Sequence, residues 1–285
     1  MSTSSDTQKQ MYEAYASSYK IFLKNWQVNR QKALEMLDKH LKSSLPEQAE
    51  VSVLSVGPGP GEFDKQFIHF LQQNMAEGQA LKYVVVEPNH IHRQIFEATM
   101  QSANFGKVHF EMHPMSIEDF QTNDKFDCIH FTHSIYHMPG QERRLILKSL
   151  DMLKDGGVVF ITLDTEEAVI FKLITKYAEV VGNEQYWQEG SSQMMESNKL
   201  RKIIDDIGLS YKFESYPEYL DVSACFEHNS EEGKVLMDFL FQANLSNASP
   251  ELNQQLLSLV DEVAIDQNSR KMLYLPAGTF VMPKQ

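Results

Sequence analysis

Apolar positions along this chain fall into two alternating rhythms. From Val51 to Val56 they are almost continuous (Val51, Val53, Leu54, Val56), as in a strand buried on both faces. After Gly57-Pro58-Gly59-Pro60-Gly61 they recur at Phe63, Phe67, Phe70 and Leu71, the spacing of a helix over about 62–77 with one buried face. The alternation then repeats. A strand is predicted over 82–87, stopped by Pro88, and a helix over about 90–103. Val108–Met112 alternates as a third strand, and Lys125–Phe131 is an apolar-rich fourth. Ile146, Leu150 and Leu153 mark a helix ending at Asp155-Gly156-Gly157, and Val158–Leu163 is a fifth strand. Strands and helices taken in turn predict an α/β fold, a parallel sheet with helices on both faces.

The flanks carry a different pattern. Residues 8–28 read as a helix whose face holds Met11, Tyr15, Tyr19, Phe22 and Trp26, either core packing or a lid over a substrate. Residues 30–42 continue helical, and 43–50 form a polar connector. After Asp164 come a helix over 165–180 and a loop over 184–190 with Tyr186 and Trp187. Next are a helix from a Ser197 cap to Ile207, a strand over 210–216 and a helix over 230–244. Ser249 with Pro250 starts a further helix to about 262, and the last strand is about 279–283. The late helices exceed a minimal nucleotide-binding fold. The expected organisation is N-terminal helices of a substrate cap over 1–48, a Rossmann-like core over 49–164, and remaining core strands with an inserted cap over 165–285.

The candidate chemistry sits at the first strand–helix junction. Glycines let the backbone pass close to a ligand because no Cβ intervenes. Here the spacing is GxGxG rather than the GxGxxG of dinucleotide sites, which disfavours a NAD-dependent oxidoreductase. Glu87 ends the second apolar run, where an acid can accept hydrogen bonds from both hydroxyls of a ribose. Turn and acid on successive strands read as a site for S-adenosylmethionine (SAM), with Gly57, Pro58, Gly59, Gly61 and Glu87 as its contacts.

Charge and cysteine content narrow the partners. There are 26 basic and 39 acidic residues in the 285, a net charge of −13, which argues against nucleic acid. The two cysteines, Cys128 and Cys225, form no disulfide framework and fit a reducing compartment. The polar N-terminus has no signal-peptide core, and no run approaches the ~18 apolar residues of a membrane span, so a cytoplasmic protein is expected. His130, His133 and His137 lack neighbouring acidic or cysteine ligands, and no metal site is expected.

The glycine turn, Val84–Pro88 (VVVEP), Phe126–Met138 (FDCIHFTHSIYHM) and the late stretch LDVSACF…GKVLMDFLFQANLSNASPEL together resemble the histamine N-methyltransferase family over nearly the whole chain. The resemblance implies a seven-stranded, Rossmann-like SAM-dependent methyltransferase sheet with a helical cap, acting as a cytosolic monomer on a ring nitrogen of a small molecule. Gly57 and Glu87 match the family's cofactor contacts. Three more fall on changed residues: His92, Thr132, and Ile117 or, one register away, Ser116. On the acceptor side the family's glutamate falls near Val28 or Asn29, with no acid in its place. Its pocket glutamine becomes His133 and one of two tyrosines becomes His137, while Tyr136 is kept. Its tryptophans fall near Ile170 and Ile174, and an asparagine becomes Pro276. Tyr15, Tyr19, Tyr136, Trp187 and Phe239 complete the expected substrate wall together with the two histidines.

Methyl transfer from a sulfonium needs alignment and a neutral lone pair on the acceptor. His133 and His137 follow the fourth strand, and an imidazole of pKa near ~6.5 suits proton removal. They act either as a base or as walls of the pocket. A phenol, a carboxylate or another imidazole as acceptor, and a SAM-binding protein without catalysis, are the alternative readings.

Overall fold

The computed structural model describes residues 17–28, 30–41, 49–182 and 194–284. Residues 17–25 form a helix (α1) that passes into a short strand, β1 (Trp26–Gln27), and α2 (Arg30–Leu41) follows. The aromatic spacing predicts the first helix through residue 28. The structure ends it sooner because Trp26 and Gln27 pair antiparallel with Leu220 and Tyr219.

The alternating region folds as its periodicity predicts. β2 (Glu50–Val56), α3 (Glu62–Asn74), β3 (Ala80–Val86), α4 (His90–Ala103) and β4 (Val108–His113) are followed by β5 (Phe126–Thr132), α5 (Glu142–Asp151) and β6 (Leu153–Asp164). β2, β3 and β5 are apolar on both faces because helices cover both, so nearly every position in them is buried. β6 begins before the Asp155-Gly156-Gly157 that was expected to end the preceding helix. The extra residues are absorbed as an irregular register, Phe126 opposite Leu153 but Cys128 opposite Val158.

The later elements are α6 (Val169–Val181), α7 (Ser197–Asp206), β7 (Lys212–Tyr216), β8 (Tyr219–Asp221), α8 (Glu231–Phe241), α9 (Pro250–Val263), β9 (Ile265–Gln267), β10 (Arg270–Tyr274) and β11 (Ala277–Pro283). Ser249 caps α9 through the backbone N–H of Leu252, with Pro250 at its first position. At α7 the cap is Glu196, whose carboxylate accepts from the N–H groups of Asn198 and Lys199. Ser197, expected in that role, is the buried first residue of the helix.

Seven strands join in the order β4-β3-β2-β5-β6-β11-β7, and four short ones in the order β1-β8-β10-β9. The β3–β4, β2–β3, β2–β5 and β5–β6 pairs are parallel, so their carboxyl ends share one edge. Chain order reverses between β2 and β5, the point where open parallel sheets bind ligands.

The chain divides into two compact units. One comprises Arg30–Leu163, Met195–Ser215 and Gly278–Gln285, with a core of Leu54, Val84, Ile129, Phe131, Ile161 and Phe280 between sheet and helices. The other comprises Met1–Asn29, Asp164–Met194 and Tyr216–Ala277, and Phe22, Leu220, Phe239, Leu240, Leu256 and Leu273 lie in its core. The four-stranded sheet belongs to this second unit, beside the helices that the sequence predicts there. Among the described residues no helix is long and apolar enough to cross a membrane.

Candidate functional site

The turn after β2 is shaped by three glycines with left-handed backbone: Gly57 at φ 63°, Gly59 at φ 58° and Gly61 at φ 80°. Gly57 and Gly61 are also hemmed in. A Cβ on Gly57 would lie 2.9 Å from Ser134 Cβ, and one on Gly61 would lie 2.6 Å from Phe96 Cδ2. The chain is thus drawn tight across the carboxyl edge of the sheet, and α3 starts from Gly61 with its N-terminus beside the turn. Ser134 locks the arrangement by donating its hydroxyl to the Val56 carbonyl at 2.6 Å.

Glu87, 5% exposed, follows β3 directly. Its Oε2 accepts the Gly59 N–H at 3.1 Å and its Oε1 accepts the Asn89 N–H at 2.8 Å. Burial raises its pKa above the ordinary carboxylate value, while the two N–H donors and Arg93 pull it back. Each carboxylate oxygen retains a lone pair for a further donor. Asn89 caps α4 through the N–H groups of Ile91 and His92, which places His92 buried in the first turn. Beyond β4, Ser116 bonds Asp119 at 3.0 Å, and Ile117 is buried. Lys148 of α5 reaches this turn and donates to the carbonyls of Ile117 at 2.7 Å, Glu118 at 3.4 Å and Phe120 at 2.5 Å.

At the end of β5, Thr132 is half-buried and its Oγ1 lies 3.2 Å from His130 Nδ1. His133 follows with φ 52°, a conformation uncommon for a residue with a side chain, held by its N–H to the Thr162 carbonyl at 2.9 Å. A single 3₁₀ turn, Ile135–His137, then sets the Tyr136 and His137 rings 4.6 Å apart, with His133 6.5 Å from Tyr136. Burial lowers His133 to a pKa of about 3, with Arg30 and His137 adding to the shift, and lowers His92 to about 4. His137 is also lowered by desolvation, although the residue as a whole is exposed. His92, His133 and His137 therefore stand close together as neutral imidazoles.

A protein-family profile described as "Methyltransferase domain" matches residues 26–211, well over half of the chain. The chain belongs to this methyltransferase family. The methyltransferase is 27% identical over 253 residues to histamine N-methyltransferase of Mus musculus, covering 83% of this chain and 82% of that one. It is 22% identical over 201 residues to carnosine N-methyltransferase 2 of Gallus gallus, covering 68% of this chain and 60% of that one. Among solved structures, YcgJ of Bacillus subtilis superposes with a TM-score of 0.55 at 15% identity, covering 90% of this chain and 99% of that one. The plantazolicin methyltransferase BpumL, in complex with S-adenosylhomocysteine (SAH), gives 0.50 at 12% identity, covering 99% and 92%. The resemblance read from the sequence and the seven-stranded α/β sheet are both met.

SAM is the cofactor of this methyltransferase, and the site fits it. The glycine turn is a cradle that a Cβ at Gly57 or Gly61 would fill, and Glu87 is a buried acceptor beside it. Gly57, Pro58, Gly59, Gly61, Glu87, His92, Ser116, Ile117, Thr132, His133, Tyr136 and His137 all fall in one unit. Tyr19 and Phe239 fall in the other, where their rings pack 6.1 Å apart around Phe22. Tyr15 and Trp187 lie outside the described residues. Among the described residues no group of three His, Cys, Asp or Glu side chains is placed to hold a metal ion.

Sequence reasoning missed Asn89, Ser134 and Lys148, all of which shape the site. Asn89 carried a legible signal, an Asx residue following Pro88 at the start of a periodic helix. Lys148 carried none, since its partners are backbone carbonyls about thirty residues away. Replacing Lys148 with Met removes charge-assisted bonds worth about 1–3 kcal/mol and frees the 116–120 turn. SAH affinity is expected to fall severalfold in calorimetric titration. Unchanged affinity would mean that this turn does not shape the cofactor site.

The lowered histidines also set an acid limit. Folding favours their neutral forms, so their contribution is complete above the unfolded value near ~6.5 and is lost as pH falls toward the folded values. At pH 5 the loss is about 2 kcal/mol for each of His92 and His133. Thermal unfolding between pH 7 and 5 should show a steeper fall for the wild type than for His92→Asn or His133→Asn. Parallel curves would contradict burial of the neutral rings.

Proposed function

We propose that this methyltransferase transfers the methyl group of SAM to a nitrogen of a small molecule, an imidazole or amine resembling histamine. The observation that carries this reading is the neutral imidazole group His92, His133 and His137 beside the glycine turn, together with the similarity to enzymes named for N-methylation of histamine and carnosine. SAM supplies an electrophilic methyl on a sulfonium, open to in-line attack.

The chain's own residues do the rest. Gly57, Pro58, Gly59 and Gly61 admit the cofactor to the sheet edge, and Glu87 accepts its ribose hydroxyls. His92, Ile117 and Ser116 line the same edge, and Thr132 stands at the end of β5. His133, Tyr136 and His137 face the acceptor. A His133 imidazole held to a pKa of about 3 is a weak base, so it orients the acceptor by hydrogen bonding rather than removing its proton. The neutral surroundings favour the uncharged acceptor that carries the attacking lone pair. With its net charge of −13, the protein works without nucleic acid, as a cytoplasmic monomer.

The test is transfer of labelled methyl from SAM to a panel of amines, imidazoles, phenols and carboxylates, histamine included. Label on an imidazole or amine nitrogen is expected. Label only on oxygen would replace the acceptor class, and no label despite SAH binding would replace the activity with cofactor binding alone. The kcat–pH profile should show no inflection that His133→Asn abolishes, and one that it does abolish would restore His133 as a base.

A further inference from the structure

A line of buried polar side chains runs beneath the glycine turn, and of its members only Thr132 has been placed at the cofactor site above. Asp64, in the first turn of α3, is 1% exposed. Its Oδ1 accepts hydrogen bonds from Ser55 Oγ at 2.6 Å and from the Tyr83 hydroxyl at 2.8 Å. The Tyr83 oxygen stands 3.0 Å from His130 Nε2, and His130 Nδ1 stands 3.2 Å from Thr132 Oγ1. The Phe63 and Phe67 rings close over the imidazole at 5.5 Å and 5.4 Å. Ser55, Asp64, Tyr83 and His130 are shut off from solvent. Thr132 alone is half-buried, and it ends the line at the carboxyl end of β5.

With Asp64 Oδ1 as an acceptor and His130 neutral, the protons of this line have one consistent arrangement. Tyr83 has a single hydroxyl proton, and it goes to Asp64 Oδ1, which is an acceptor whether the carboxyl is ionised or carries a proton on its other oxygen. His130 Nε2 must then be the donor to the Tyr83 oxygen. A neutral imidazole bears one N–H, so Nδ1 is left as an acceptor. Thr132 directs its only proton to Nδ1, and to anything beyond the strand its oxygen offers lone pairs alone.

We propose that Thr132 Oγ1, held as an acceptor by Asp64, Tyr83 and His130, receives an N–H of the cofactor's ammonium group. This rests on the cofactor reading of the site. Glu87, proposed for the ribose hydroxyls, ends β3. Thr132 ends β5, two strand spacings or about 10 Å across the sheet. SAM carries N–H donors at two ends, the adenine amine and the ammonium. With the Ser116–Ile117 turn on the β4 side of Glu87 taking the adenine end, the amino-acid end is the one that reaches toward β5. Acceptor-only character at Thr132 suits that ammonium. His130 and Tyr83 are positioning residues, acting through Thr132.

The experiment has two arms on the full chain. Ring ¹⁵N spectra, with the His130 signals assigned from the His130→Gln variant, are expected to show the Nε2–H tautomer at pH 7 with and without SAH. An Nδ1–H tautomer or a doubly protonated ring would overturn the proposal, since Thr132 would then present a proton. Calorimetric titration compares SAH with its deamino analogue on the wild type, Thr132→Val and Thr132→Ser. Thr132→Val should weaken SAH about tenfold and leave the deamino analogue unchanged, while Thr132→Ser keeps the wild-type preference. Equal loss for both ligands would overturn the proposal but leave the cofactor reading standing. Failure of SAH to bind the wild type would remove both.

Discussion

Replacing Glu87 with Gln should lower the affinity for SAH about a hundredfold while moving the stability of the ligand-free protein by only about 1 kcal/mol. The carboxylate accepts two backbone N–H groups and has lone pairs to spare for two ribose hydroxyls. Hydrogen bonds to a charged group are worth about 1.5–3 kcal/mol each, so losing the better part of two is a loss of about 3 kcal/mol. In the free protein the effects oppose. Gln forfeits one backbone acceptor, but it also removes a charge that burial disfavours. The pH dependence follows from the raised pKa. Glu87 favours the fold most below the ordinary carboxylate range, and this contribution is lost as pH rises through its folded value. Affinity for the ribose moves the opposite way, because the ionised form is the better acceptor. Titration calorimetry and unfolding with and without SAH separate the two. A large loss of ligand-free stability with unchanged affinity would make Glu87 a structural residue.

Gly61→Val should be the most damaging single change in the turn. Position 61 holds φ 80°, which a β-branched residue adopts only with strain of about 1–3 kcal/mol. Its Cβ would also lie 2.6 Å from Phe96 Cδ2 and 2.7 Å from Met100 Cε, both on α4. Forcing buried side chains apart costs a further 1–3 kcal/mol or so. The sum, about 4 kcal/mol, corresponds to a fall in Tm of roughly 10 °C for a chain of this size. SAH binding should be lost as well, since the same displacement moves the turn. A Tm within a degree or two of wild type would mean that the turn does not hold this shape.

Much of the fold was legible because its signals are local. β2, β3 and β5 are apolar-rich runs, and each is followed by a turn and an amphipathic helix. The four-stranded sheet was not legible for the opposite reason. β1, β8 and β9 are two or three residues long, too short to show a period, and Leu220 finds its partners at Trp26 and Leu273. The cap of α7 shows a subtler limit. Ser197 is the better capping type by propensity, but Glu196 has the reach to take two N–H groups while Ser197 packs inside. The site divides in the same way. The glycine turn and Glu87 announce themselves by residue type at strand ends. The line from Asp64 to Thr132 joins one helix and three strands through side chains, and no spacing in the sequence reports it.

The position of β11 bears on how this protein is made. It is the last strand of the seven in the chain, yet it lies between β6 and β7, and Phe280 and Met282 of β11 are buried in the core. A ribosome delivers β2 to β6 and then β7 well before the strand that separates them. Until residues 277–283 emerge, the growing sheet exposes β6 as a long apolar edge, the kind of surface that recruits strands from other molecules. Completion of this sheet therefore waits on β11, and the β6 edge stays open to other strands until β11 docks.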